Sequence, residues 1–141
     1  MDGTISRTFS FCAAHRIEGH PKCGRLHGHN YEVEVTLQGK VVPQTGMILD
    51  FGYVDQVVKP LVDALDHRYL VSNGNLSAGD PYAKIAMDNG DIYMVDMPAT
   101  TAEYLAAFIH SRVCNKLNWT RDQCQVTVRE TPRNKASYFG E

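Results

Sequence analysis

At 141 residues, 43% of them hydrophobic, the chain is long enough to bury one core and too short to expect two, so residues 1–141 read as a single domain. A formal charge of −2 and a pI near 6.3 supply no chain-wide basic field, and neither nucleic acid nor an anionic membrane is indicated as a partner. No run of 18 apolar residues occurs, and the first residues turn polar where a secretion signal would be apolar, so a cytoplasmic location is expected.

Thr8 to His15 alternates Phe9, Phe11, Ala13 and His15 against Thr8, Ser10, Cys12 and Ala14, the period of a strand. Arg16 to Leu26, broken by Gly19, Pro21 and Gly24, reads as an irregular loop. Alternation resumes at His27: His27, His29, Tyr31, Val33, Val35 and Leu37 share one face of a half-buried antiparallel strand. Met47 to Leu49 suggests a short strand. Asp50 is placed to cap a helix carrying Tyr53, Val54, Val57, Val58, Leu61 and Leu65, with Pro60 inside it and an end near Asp66-His67. Residues 72–99 are rich in turn formers. Within them, Tyr82–Met87 and Ile92–Met97 flank Asp88-Asn89-Gly90-Asp91, which predicts an inserted hairpin over 82–97. Thr100 with Glu103 matches a capping box ahead of a second amphipathic helix, Cys124 to Thr131 alternates as a strand, and Ala136 to Phe139 suggests a last short one. The pattern predicts an α+β domain: an antiparallel sheet with two helices on one face.

Two histidines one residue apart on a strand point the same way, and a third at the end of an antiparallel neighbour can lie opposite them. His15, His27 and His29 can therefore converge, and three imidazoles leave Zn2+ an open fourth position, as catalytic sites do. His-Gly-His alone also fits a surface turn, and a lone His15 a satisfied core histidine; the convergence of three favours the metal. Cys23, four residues before His27, can reach the metal either as a fourth ligand or as a general base, and spacing alone leaves both open. Cys12, Cys114 and Cys124 lie in apolar-patterned elements, widely and irregularly spaced, and are expected to be ordinary buried thiols rather than a disulfide framework. Asp66-His67 could form a relay, although such pairs are also common helix caps. Glu130 shares its strand face with Cys124, Val126 and Val128, so a carboxylate points inward and needs a partner: a cationic side chain, or the N–H groups of a ligand ring.

Taken together, Phe11-Cys12-Ala13-Ala14-His15-Arg16, Cys23-Gly24-Arg25-Leu26-His27-Gly28-His29-Asn30-Tyr31, Gly46-Met47-Ile48-Leu49-Asp50-Phe51, Leu65-Asp66-His67 and Val128-Arg129-Glu130-Thr131 resemble the 6-pyruvoyltetrahydropterin and 6-carboxytetrahydropterin synthase family. The resemblance implies the tunnelling fold, whose sheets join into a barrel, commonly in a homohexamer with active sites at subunit interfaces. It implies His15, His27 and His29 as zinc ligands, Cys23 as catalytic thiol, Asp66 and His67 as its relay, and Glu130 as the pterin anchor, with Thr101 and Glu103 lining the same pocket. The Cys23-x-x-x-His27-x-His29 spacing is similar to the carboxy-forming enzymes of the queuosine pathway. The implied reaction converts 7,8-dihydroneopterin triphosphate to 6-carboxytetrahydropterin, acetaldehyde and triphosphate. Elimination of triphosphate to the 6-pyruvoyl product is the alternative, and a zinc-dependent pterin-binding module without turnover is a reading of another class.

Overall fold

Alternation in the first forty residues is realised as two long strands, β1 (Asp2–His15) and β2 (His27–Lys40), paired antiparallel along their whole length. The computed structural model describes residues 2–120 and 123–140. β1 is longer than the alternation suggested, since its first half is largely exposed and carries little apolar signal. Phe11, Ala13, Tyr31, Val33, Val35 and Leu37 face the core, and Phe11 stacks on Tyr31 with ring centroids 4.8 Å apart.

The expected strand at Met47–Leu49 is instead a turn with one isolated bridge, Val42 to Met47. Asp50 does cap the helix that follows, accepting from the Gly52 N–H at 2.7 Å, and α1 (Phe51–Leu65) contains Pro60. It buries Val54, Val58, Val62 and Leu65. The final helix α4 (Ala102–Leu117) lies against the same core through Leu105, Phe108, Ile109 and Val113. Its cap is Thr101, which accepts from the Tyr104 N–H, so the Thr100–Glu103 capping box is one residue out of register.

Between α1 and α4 the chain departs from expectation. Arg68–Ser72 is a strand, β3, and a short helix α2 (Asn73–Ser77) and a longer one, α3 (Pro81–Asn89), lead to β4 (Ile92–Val95). β3 runs parallel to both β1 and β4, so the predicted hairpin over 82–97 is a helical crossover between parallel strands. The physical reason lies in Gly90, whose φ of 76° caps α3 in the left-handed conformation. A two-residue hairpin turn needs that same backbone state, and the dipeptide alone cannot separate the two uses. Asp80-Pro81, an N-cap followed by proline at the first helical position, is the signal that pointed the other way.

With β5 (Cys124–Thr131) and β6 (Asn134–Tyr138), the sheet has the order β4-β3-β1-β2-β5-β6. It is therefore mixed rather than antiparallel, and among the described residues it carries four helices rather than two. The helices are not confined to one face: Leu70 joins the main core with α1 and α4, while Tyr69 and Val71 pack with Ala83 and Ala86 of α3. Burial on both faces is usual for parallel strands. Cys114 and Cys124 form a disulfide between α4 and β5, correcting the expectation that both are thiols. The short connection from α4 into β5 brings their Cα atoms to 6.3 Å, within bridging range, which spacing in sequence could not reveal. Among the described residues no helix is long and apolar enough to cross a membrane.

Candidate active site

The β1–β2 register sets His15 directly opposite His27 and places His29 opposite Ala13, whose small side chain leaves room for the third ring. The centroids of His15 and His27 are 4.6 Å apart, those of His15 and His29 5.1 Å, and those of His27 and His29 5.0 Å. One nitrogen from each ring lies within 4.8 Å of the others, a spacing that can hold a metal ion.

The orientation of the rings is determined from behind. His15 Nδ1 lies 2.9 Å from the carbonyl of Thr100, a fully buried residue, and His27 Nδ1 lies 2.6 Å from the carbonyl of Arg25. His15 Nε2 is then left buried with no hydrogen-bond partner. A buried, unpartnered imidazole nitrogen is costly unless something occupies its lone pair, and the donor set of three imidazoles suits a borderline cation such as zinc. Burial, reinforced by His27 and His29, lowers the pKa of His15 to about 4 against the pull of its hydrogen bond to Thr100. Burial followed by His27 also lowers that of His29. Both shifts favour the neutral form that a metal requires.

A cavity of about 400 Å³ opens beside these rings, lined by His15, Cys23, Thr101, Glu103 and Glu130 among others. Cys23 reaches it from the β1–β2 loop, where Gly24 allows the chain to turn tightly: a Cβ there would lie 2.5 Å from the His20 carbonyl oxygen. Cys23 N–H donates to His20 Nδ1 at 2.8 Å, which helps to fix the thiol's backbone. Glu130 follows the buried Val126 and Val128 on β5 and turns its carboxylate to within 3.9 Å of His29 Nε2. Among the described residues it pairs with no arginine or lysine. Burial and then the neighbouring Glu103 raise its pKa, opposed by His27. Tyr31 is a further buried polar group here, its hydroxyl unpartnered and its pKa raised by burial and by Glu130.

Asp66 and His67 are not brought into this cavity within one chain. His67 borders another, of about 600 Å³, which it lines together with Cys12, Asn30 and Arg68. Asp66 both ends α1 and holds His67: its carboxylate accepts from the Cys12 N–H at 2.8 Å and lies 2.9 Å from His67 Nδ1. The Cys12 N–H, and then His67, lower the Asp66 pKa. His67 sits at φ 61° with its imidazole largely in solvent. The pair is thus a cap and a formed carboxylate–imidazole couple at once. Thr100 and Arg25 were missed from sequence because they act through backbone carbonyls, which no side-chain pattern reports.

The α+β domain thus sets three converging imidazoles that could hold a metal ion beside a cavity lined by a loop cysteine and an inward carboxylate. The 6-pyruvoyl tetrahydropterin synthase family profile matches residues 4–141, and the chain belongs to that family. It is 31% identical over 139 residues to the 6-carboxy-5,6,7,8-tetrahydropterin synthase of Haemophilus influenzae, covering 95% of this chain and 96% of that one. It is 35% identical over 116 residues to the enzyme of the same name from Rickettsia bellii, covering 79% and 80%. The structure of the 6-pyruvoyl tetrahydropterin synthase of Caenorhabditis elegans superimposes with a TM-score of 0.72 at 25% identity, covering 100% of this chain and 97% of that one. That of Plasmodium vivax, at 20% identity and a TM-score of 0.76, shares the fold over 97% of this chain and 96% of its own. The protein is an enzyme of the tetrahydropterin synthase family.

Proposed function

We propose that this chain is a zinc-dependent lyase that converts 7,8-dihydroneopterin triphosphate and water to 6-carboxy-5,6,7,8-tetrahydropterin, acetaldehyde and triphosphate, the carboxy-forming step of queuosine biosynthesis. The observation that carries the reading is one cavity shared by His15 with its unpartnered Nε2, by Cys23 and by the inward carboxylate of Glu130. His15, His27 and His29 would hold the zinc ion, which when bound polarises the substrate's side-chain hydroxyls and acidifies the adjacent carbons. Glu130 accepts hydrogen bonds from the 2-amino and N3–H edge of the pterin, with Thr101 and Glu103 beside it on the pocket wall. That placement directs the reacting side chain of the substrate toward the imidazoles. Cys23 carries the proton, as a base rather than a required ligand, and Asp66 with His67 forms the relay behind it.

Since His67 of one chain borders a different cavity from Cys23, the relay would be completed by a second copy, in keeping with a homohexamer whose sites lie between subunits. The carboxy-forming product is favoured by the short Cys23–His27 spacing and by the names of the relatives from H. influenzae and R. bellii. Elimination to the 6-pyruvoyl product is the second reading, favoured by the likeness to the C. elegans enzyme over the whole chain. Mass spectrometry of the products formed from dihydroneopterin triphosphate by zinc-loaded protein decides between them: acetaldehyde in step with triphosphate supports the first, triphosphate without acetaldehyde the second. Cys23→Ala is expected to keep its zinc and lose turnover; loss of the metal instead would make Cys23 a ligand.

A further inference from the structure

The segment that crosses from β3 to β4 also reaches the loop that carries Cys23, through Arg16 and through Asn75 of α2, which donates to the Glu18 carboxylate at 3.5 Å. Arg16, the first residue after β1, donates from Nε to the Gly24 carbonyl at 2.7 Å, closing the base of the loop one residue beyond Cys23. Its Nη1 lies 2.9 Å from the Asp80 carboxylate and 3.1 Å from that of Glu18, and its guanidinium sits over the Tyr82 ring, 5.5 Å from the centroid. The Asp80 side chain has no exposure to solvent. It accepts a hydrogen bond from the Tyr69 hydroxyl and caps α3 by accepting from the Tyr82 N–H at 2.9 Å. Burial and this bond to Asp80 raise the Tyr69 pKa. The Arg16 carbonyl in turn accepts from Asn75 of α2 at 3.4 Å.

A buried carboxylate is tolerated only where it is paired and hydrogen-bonded, so Asp80 fixes Arg16 as firmly as Arg16 satisfies Asp80. The planar guanidinium lets one side chain serve Asp80 and Gly24 in two directions at once, which an ammonium at the end of a flexible stem does not.

We propose that Arg16 is a positioning residue, held by Asp80 and Tyr69, through which the crossover segment clamps the β1–β2 loop and places Cys23 in the cavity. This rests on the reading of Cys23 as the proton-carrying thiol. The β3–β4 crossover thus contributes to catalysis without touching substrate.

Hydrogen exchange on the whole protein tests the clamp at two loop amides that are bonded within the loop: Ile17 N–H to the Cys23 carbonyl at 2.8 Å and Gly24 N–H to the His20 carbonyl at 3.0 Å. In Asp80→Asn these amides are expected to exchange about ten- to a hundredfold faster, the factor carried by one hydrogen bond to a charged group. Amides of Val126 and Val128 in β5 keep their rate, Cys23 reacts with iodoacetamide at an altered rate, and kcat falls while KM holds. Arg16→Lys, which keeps a cation for Asp80 and loses the bond to Gly24, is expected to loosen the loop in the same way and decides the matter if Asp80→Asn does not fold. Wild-type exchange at Ile17 and Gly24 in these variants overturns the clamp. So does equal acceleration in the loop and in β5, which marks a merely structural role, or a loosened loop with unchanged kcat. Cys23→Ala separates the two readings: full turnover there refutes the thiol's role, whereas the clamp is refuted by wild-type loop exchange in Asp80→Asn and Arg16→Lys, a readout that does not depend on turnover.

Discussion

Replacing Glu130 by glutamine preserves the size of the side chain, removes its charge and turns one acceptor into a donor. Against the pterin edge proposed above, one charge-assisted hydrogen bond becomes a clash of two donors. Loss of such a bond costs about 1.5–3 kcal/mol, or roughly ten- to a hundredfold in affinity. Stability moves the other way. The carboxylate is only about one-fifth exposed, its one ion-pair neighbour among the described residues is His29 at 3.9 Å, and Glu103 repels it. Because its pKa is raised above 4.5, the folded protein favours the neutral form, and the ionised group costs stability above that folded value. Neutralising it is therefore expected to leave the melting temperature at neutral pH unchanged or slightly higher, with the two proteins converging below pH 4.5. Calorimetric titration of zinc-loaded protein with 7,8-dihydroneopterin, alongside thermal melts of both proteins, measures both arms. Unchanged affinity together with a large fall in melting temperature would refute the reasoning and make Glu130 a structural ion-pair partner.

His27→Ala and His29→Ala are each expected to lose most of their bound zinc in metal analysis, since a three-ligand site is greatly weakened by one deletion; full occupancy in both would sink the assignment. In metal-free protein His15 is lowered from 6.5 to about 4, so its contribution to stability is fully present above pH 6.5 and is lost as pH falls toward 4. The whole window is worth about 3 kcal/mol, and about 1.4 kcal/mol of it is lost by about pH 5.5. Urea unfolding of the metal-free protein at several pH values checks this, and a His15→Gln variant with the same acid-side slope would rule out His15 as the source.

The cluster of three imidazoles was legible because strand geometry is periodic. Once β1 and β2 were read as antiparallel neighbours, three histidines on one face had few other places to be, and the inward Glu130 followed from the same alternation. What escaped was chemistry that sequence encodes ambiguously or not at all. Gly90 serves a left-handed cap as readily as a hairpin turn, so α3 was mistaken for the first strand of a hairpin whose second strand is indeed present as β4. β3 is five residues long and buried on nearly every side, which removes the alternation that would mark it. The pairing of Cys114 with Cys124 depends on how α4 meets β5, and the orienting carbonyls of Thr100 and Arg25 have no residue signature.

The continuous pairing of β1 with β2 gives this protein an unequal tolerance to insertions and deletions. A single residue added within either strand would turn His15, or His27 and His29, to the opposite face, and the same slip would carry Phe11 or Tyr31, Val33 and Val35 out of the core. Under the proposed zinc assignment, metal content and correct folding would then fail together, and zinc stoichiometry would double as a test of strand registry. The intervening loop of residues 16–26 has no such constraint on length from the sheet, and closing a longer one adds only about 0.6 kcal/mol per doubling. Within the β1–β2 unit, changes of length are therefore tolerated only in the segment that carries the thiol, where they would alter the distance between Cys23 and His27 while the three imidazoles stay where they are.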